Sequence, residues 1–321
     1  MKAEVRKAFT ECKIPKYLNR KNVVLIPKMA GPNSLGNYRL ISLYNTVYEI
    51  VTKTLVTRIR PYLDKLVSPF QFAFVPRRRS VDNFIVVQEI IHTLSNKKGR
   101  VGYMAIKVNL EKVYDKIEWS FIREVLINAN LSQNVISLIM SRVSSVSTSI
   151  LFNGGNMEPI LPSRGIRQGD LLLPYLFILC MEALGYLIKE KCKDKSWTPV
   201  KISNNGVAFS HLFFADDLVL FAKVDHFNCL MIRDVLDNFC ARFGQPISES
   251  KSRVLFSPNV DVDTRESLCD ILGFHSTPNL GKYLGFPIKY HGTNNEDLNF
   301  VLERVKQKLA GCKANLFVFG G

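Results

Sequence analysis

The stretch Phe213-Phe214-Ala215-Asp216-Asp217-Leu218-Val219-Leu220-Phe221 decides how the rest of the chain is read. Two adjacent carboxylates interrupt a run of aromatic and branched residues of the kind that strands favour. The flanking runs, Val207 to Phe214 and Leu218 to Ala222, are separated by so few residues that they form a tight hairpin with Asp216 and Asp217 at its bend. Ionised carboxylates beside a core are costly unless a cation meets them. A divalent metal is the economical partner, because Mg²⁺ takes one or two carboxylates together with phosphate oxygens and water. An ordinary solvated turn also carries Asp-Asp, so the pair alone leaves both readings open.

Two-metal phosphoryl transfer calls for a further carboxylate from a different strand. One ion then lowers the pKa of an attacking hydroxyl while the other steadies the leaving pyrophosphate. The natural source is the end of the alternating run Tyr103 to Val108, which leads into Asn109-Leu110-Glu111-Lys112-Val113-Tyr114-Asp115. The strand-end position is an amide, Asn109. Glu111 lies two residues on, on the same face of a continued strand.

Composition sets the frame around these carboxylates. The chain has 321 residues, 47% hydrophobic and 22% charged, which suits one large domain or a few subdomains and excludes disorder and fibrous repeats. Its 43 Lys and Arg against 28 Asp and Glu leave a formal net charge of +15, as a protein that handles a polyanion would carry. Seven scattered cysteines without a C-x-x-C pair argue against a disulfide framework or a zinc site. No signal peptide is visible, and the apolar stretch Leu171 to Ile188 contains Pro174, Glu182 and Gly185, so it reads as a buried core helix.

Elsewhere, Asn22 to Ile26 and Tyr38 to Leu43 read as a long-looped hairpin with Lys28 and Arg39 near its two arms. Helical periodicity runs from Asn45 to Leu66 with Lys53, Arg58 and Arg60 on its outer side, and again from Asp82, read as its cap, to Leu94. Further helices are expected at Trp119 to Ala129 and Gln133 to Val143, and a strand at Ser147 to Phe152. Strands and helices interleave without regular βα alternation, which predicts an α+β fold.

Several blocks in one order resemble the reverse transcriptase of LINE-type (non-LTR) retrotransposons, plant ones in particular. They are LIPK (25–28), YRLISL (38–43), QFAFVPRR (71–78), MAIKVNLEKVYDKIEW (104–119), RGIRQGD (164–170) with PYLFILCMEAL (174–184), SHLFFADDLVLF (210–221), GQPISESKS (244–252) and KYLGFP (282–287). Each block alone is weak; their order is specific. The resemblance implies a right-hand polymerase fold: fingers over 1–102, a palm with an inserted helix over 103–262, and a palm–thumb junction with a truncated thumb over 263–321. It implies RNA-directed DNA synthesis with two Mg²⁺ ions, Mn²⁺ being able to replace them. The implied partners are an RNA template, a DNA primer and deoxynucleoside triphosphates, with no membrane, inside the cell and by analogy in the nucleus.

Residue by residue, the resemblance makes Asp216 and Asp217 metal ligands and puts Asn109 at the remaining ligand position. Tyr114 matches the aromatic that underlies the nucleotide sugar. Gln168 and Gly169 match the pair that brings backbone close to nucleotide and template. Lys28 and Arg39 match cations that hold the triphosphate, and Lys251 a lysine suited to protonating pyrophosphate.

The chain also departs from the family pattern. Asn109 stands for Asp, Leu171 and Leu173 for Pro and Ser, Leu40 for Pro, Arg77 for Gly, Val113 for Ala and Ser248 for Asn. A Gly-to-Arg change matters if the backbone there needs a positive φ. Such scatter, with no upstream endonuclease and a stop early in the thumb, implies a degenerate fragment with reduced activity. The alternatives are a catalytically dead nucleic-acid-binding relic and a group II intron-like maturase.

Overall fold

The computed structural model describes residues 1–288 apart from 111, 112, 153, 167, 168 and 204. Helix α1 (Lys2–Thr10) leads into β1 (Arg20–Pro27), which returns antiparallel as β2 (Tyr38–Tyr44), with Ile26 opposite Arg39. This is the expected long-looped hairpin. The amphipathic stretch after it is one helix by periodicity and three pieces in the structure: α2 (Thr46–Ile59), a 3₁₀ turn (Arg60–Tyr62) and α3 (Leu63–Leu66). Pro61 is the cause, because its ring clashes with the carbonyl four residues back and it has no N–H to donate. Asn45 starts α2 by accepting the Val47 N–H.

Helix α4 (Ser80–Ser95) begins two residues before the expected Asp82. Asp82 does not cap it; it sits in the first turn, ion-paired with Arg79 at 2.7 Å. Strand β3 (Tyr103–Val108) follows, then α5 (Val113–Lys116), α6 (Trp119–Asn128), α7 (Gln133–Ser144), β4 (Ser147–Phe152) and β5 (Gly155–Asn156). Strand β4 runs parallel to β1 and completes a first sheet of order β2-β1-β4-β5.

The long apolar run forms α8 (Leu173–Lys193), in which Leu176 to Met181 are buried without interruption. Among the described residues no helix is long and apolar enough to cross a membrane. After it come β6 (Val200–Lys201), β7 (Ala208–Phe209), β8 (His211–Phe214), β9 (Asp217–Lys223), α9 (His226–Phe243), β10 (Arg253–Phe256), α10 (Val262–Leu272), β11 (His275–Ser276), β12 (Lys282–Tyr283) and β13 (Phe286–Pro287).

The second sheet has the order β11-β10-β3-β9-β8. Alternation along its strands feeds two cores. Met104, Ile106, Val108, Leu218 and Leu220 face a larger one built with α6, α8 and α9, while Ala105, Val219, Phe221 and Leu255 face a smaller one under α4, Leu280 and Tyr283. Helices on one face and a helix plus a C-terminal segment on the other make the α+β layering. All six described cysteines are free thiols; Cys312 lies outside the described residues.

Candidate active site

Strands β8 and β9 stay paired up to Phe214 opposite Asp217, so the hairpin loop is only Ala215 and Asp216. Asp217 is therefore the first residue of β9, half-buried, whereas Asp216 is exposed at the tip. Ala215 has φ +55°, the left-handed region that such a loop demands of its first residue and that glycine fills without strain.

The β3–β9 ladder ends with Val108 opposite Leu218. The next residue on each strand is Asn109 and Asp217, so the amide and the carboxylate stand at adjoining positions of one sheet end. From its other side Asn109 is held by the Ser248–Ser252 turn. Its N–H donates to Ser252 Oγ at 3.1 Å, and its carbonyl accepts the Ser248 N–H at 2.8 Å. Lys251 is an exposed member of that turn.

Charges at this end of the sheet act on one another. Burial pushes the Asp217 carboxyl up, Lys107 pulls it back and Asp216 raises it again. The Tyr114 phenol is pushed up to about 12, by burial first and then by the fields of Asp216 and Asp217. Tyr283 is raised by burial and then by Asp217. Among the described residues neither Asp216 nor Asp217 forms an ion pair. Two neighbouring carboxylates that raise one another, partly offset by the field of Lys107, are the kind of donor pair that a hard cation takes. A pair of ions would find one negative charge fewer than three carboxylates supply. No group of three His, Cys, Asp or Glu that could hold a metal occurs among the described residues.

The glycine-bearing loop is zipped onto the segment that carries Tyr114. Gly165 N–H donates to Ile117 O at 2.8 Å, Ile166 N–H to Tyr114 O at 2.7 Å, and Trp119 Nε1 to Gly165 O at 2.9 Å. A Cβ on Gly165 would lie 2.4 Å from Asp115 O, and φ is +85°, so only glycine permits this approach. Tyr114 packs its ring against Phe177, centroids 4.9 Å apart. Gly169 rests against β2, where a Cβ would come within 3.6 Å of Tyr44 Oη. Gln168 lies outside the described residues.

Lys28 and Arg39 both lie at the loop end of the β1–β2 hairpin, exposed, with Lys28 Nζ donating to Gly36 O at 2.9 Å. No contact among the described residues ties them to the acidic tip. The three consecutive arginines differ in use. Arg78 turns inward and donates to the carbonyls of Ser68, Gln71 (2.6 Å) and Val67 (3.1 Å), and Arg79 is spent on Asp82.

One group escaped sequence reading. Arg142 of α7 is buried and holds Asp170 with Nη2 at 2.9 and 2.8 Å from the two carboxylate oxygens, while donating also to Tyr48 Oη (2.9 Å) and Thr52 Oγ1 (2.7 Å). Tyr48 Oη donates to Asp170 in turn, and Asp170 Oδ1 accepts the Leu172 N–H at 2.9 Å. The pair anchors the far end of the loop that carries Gly169. An arginine on an amphipathic helix gives no signal of burial; Asp170 at the start of an apolar run is the only visible hint.

A carboxylate-tipped hairpin beside the central strand, with helices behind the sheet, defines a nucleic-acid polymerase fold. Solved structures agree. The chain matches apo telomerase from Candida tropicalis truncated from its C-terminal domain with a TM-score of 0.53, 14% identity and coverage of 75% of this chain and 51% of that one. Telomerase of the same organism with a TWJ fragment of telomeric RNA gives 0.54 at 11% identity, covering 75% and 41%. At these identities the likeness concerns the fold alone.

The family model for reverse transcriptase (RNA-dependent DNA polymerase) matches residues 26–288, and the chain belongs to that family. Among curated relatives, the uncharacterised transposon TX1 protein of Xenopus laevis is 23% identical over 80% of this chain. The Pol polyprotein of the type-2 retrotransposable element R2DM of Drosophila melanogaster is 27% identical over 65% of it. The chain spans 19% of the length of each. An uncharacterised mitochondrial protein of Arabidopsis thaliana is 45% identical over 67 residues, 21% of this chain and 55% of that protein. By family the chain is a reverse transcriptase (RNA-dependent DNA polymerase) domain.

Proposed function

We propose that the chain is the polymerase domain of a plant LINE-type (non-LTR) element, extending a DNA primer on an RNA template, with its rate reduced by Asn109. The observation that carries this reading is the ladder register that sets Asn109 beside Asp217 at the mouth of the acidic hairpin. The division into fingers (1–102), palm (103–262) and thumb junction (263–321) belongs to the same reading, as does a nuclear place of action.

Mg²⁺ bound by Asp216, Asp217 and the Asn109 amide oxygen would supply charge for the triphosphate and acidity for the primer hydroxyl. The remaining tasks fall to the chain. With a phenol raised to about 12, Tyr114 stays neutral at working pH and offers an uncharged floor for the sugar beside the carboxylates. Lys251, in the turn that grips Asn109, would protonate pyrophosphate. Lys28 and Arg39 would meet the triphosphate, and Gln168 with Gly169 would set the nucleotide against backbone.

Asn109 retains an oxygen donor and loses a charge. A deficit of about 2.7 kcal/mol in the transition state corresponds to roughly 100-fold in rate. Primer extension on an RNA template, in Mg²⁺ and in Mn²⁺, tests this. Asn109→Asp is expected to extend on the order of 100-fold faster than the parent chain. Equal rates would contradict the assigned role of Asn109. If neither chain extends while both retain hybrid binding, the other departures are responsible and the chain is a nucleic-acid-binding relic.

A further inference from the structure

We propose that Gln71 is a positioning residue that holds the Asp216-Asp217 tip in place through the backbone of Ala215. This rests on the reading of the tip as a cation site. Gln71 has no exposed surface. Its Oε1 accepts two backbone N–H groups, from Ala73 at 3.0 Å and from Ala215 at 3.2 Å. Ala215 immediately precedes Asp216 and holds the left-handed φ of +55°. The side chain therefore grips the one residue of the loop whose backbone is strained.

The surroundings are built to hold that grip. Residues 70–72 lie along the open edge of β8, with Phe213 N–H donating to Phe70 O at 2.8 Å and Phe72 N–H to Phe213 O at 3.0 Å. The amide of Gln71 continues this ladder past the end of β8, where no backbone partner follows among the described residues. Behind it, Arg78 ties down the Gln71 carbonyl at 2.6 Å, and Ser68 N–H donates to Glu182 on α8 at 3.0 Å. A second buried amide, Asn83 on α4, donates to Phe213 O at 3.1 Å and accepts from Tyr283 Oη at 2.8 Å. Because both groups facing Gln71 Oε1 are donors, the amide can point only one way. Its Nε2 consequently stays buried without a partner, so this orientation is kept although it leaves a donor unmet.

Two measurements on the intact chain test the role. The first is amide hydrogen exchange of the parent chain. The Ala215 N–H is expected to be protected like the amides of β8, and exchange at the rate of an open loop would overturn the proposal. The second is Mn²⁺ affinity, read from the free-ion electron paramagnetic resonance signal well below the melting temperature. Gln71→Met keeps volume and loses the acceptor, so its Kd is expected to rise about five- to tenfold. An unchanged Kd with only a lower melting temperature would mean a purely structural residue and would also overturn it. Should Gln71→Met fail to fold, the exchange measurement decides. Absence of Mn²⁺ binding by the parent chain would instead refute the cation-site reading, and Ala215 exchange would still judge the hold of Gln71 on the loop.

Discussion

Arg77 occupies φ +69°, the left-handed region, at a position where the resembling family carries glycine. An L-residue there is strained by about 1–2 kcal/mol. Glycine would relieve that strain and lose part of the gain to its freer unfolded chain. Arg77→Gly is thus expected to stabilise the fold by roughly 0.5–1 kcal/mol in urea denaturation, while Arg77→Ala, equally strained, gains nothing. A loss of stability in the glycine variant would contradict this account. The need for a positive φ was legible as a question, because the departure from glycine could be seen in the sequence. At Ala215 it was not, since nothing in FFADD says that the bend holds two residues and that Asp217 already belongs to the strand.

At the scale of elements, the strands were the easier part to read. YMAIKV and Leu218 to Ala222 alternate or are uniformly apolar and pair in one sheet, whereas the expected strand Val207 to Phe214 divides into β7, paired with β6, and β8, paired with β9. Helix α2 ends where Pro61 dictates, a breaker visible in the sequence that periodicity alone overrode. Pairings between distant segments were not legible. The parallel contact of β4 with β1 and the seat of residues 70–72 on β8 depend on the three-dimensional arrangement. The Arg142–Asp170 pair is the clearest case, since both groups look like surface charges until α7 and the loop meet. Breaking it leaves a buried carboxylate uncompensated. Arg142→Met is expected to cost about 3–5 kcal/mol. Asp170→Asn in that background should recover most of the loss, because the amide oxygen still accepts the Leu172 N–H. Equal stability of Arg142→Met and the parent chain in denaturant titration would contradict the burial of this pair.

For the whole molecule, an excess of 15 positive charges and a sequence-blind task point to phosphate contacts as the main source of nucleic-acid affinity. If six or more phosphates are neutralised, binding of an RNA–DNA hybrid should weaken by roughly 1,000-fold or more between 50 and 200 mM salt. A shallow dependence with strong sequence preference in a filter-binding assay would speak against a polymerase cleft. The proposed cation site lies at one end of one sheet, where the two carboxylates of the hairpin and the amide at the end of β3 would hold a single ion. Anomalous diffraction at the manganese edge, from crystals soaked in Mn²⁺, tests it most directly. The account predicts a peak bound by Asp216 and Asp217 with the Asn109 side chain at its border; a peak elsewhere, or none, with Asn109 turned away from the hairpin, would contradict it.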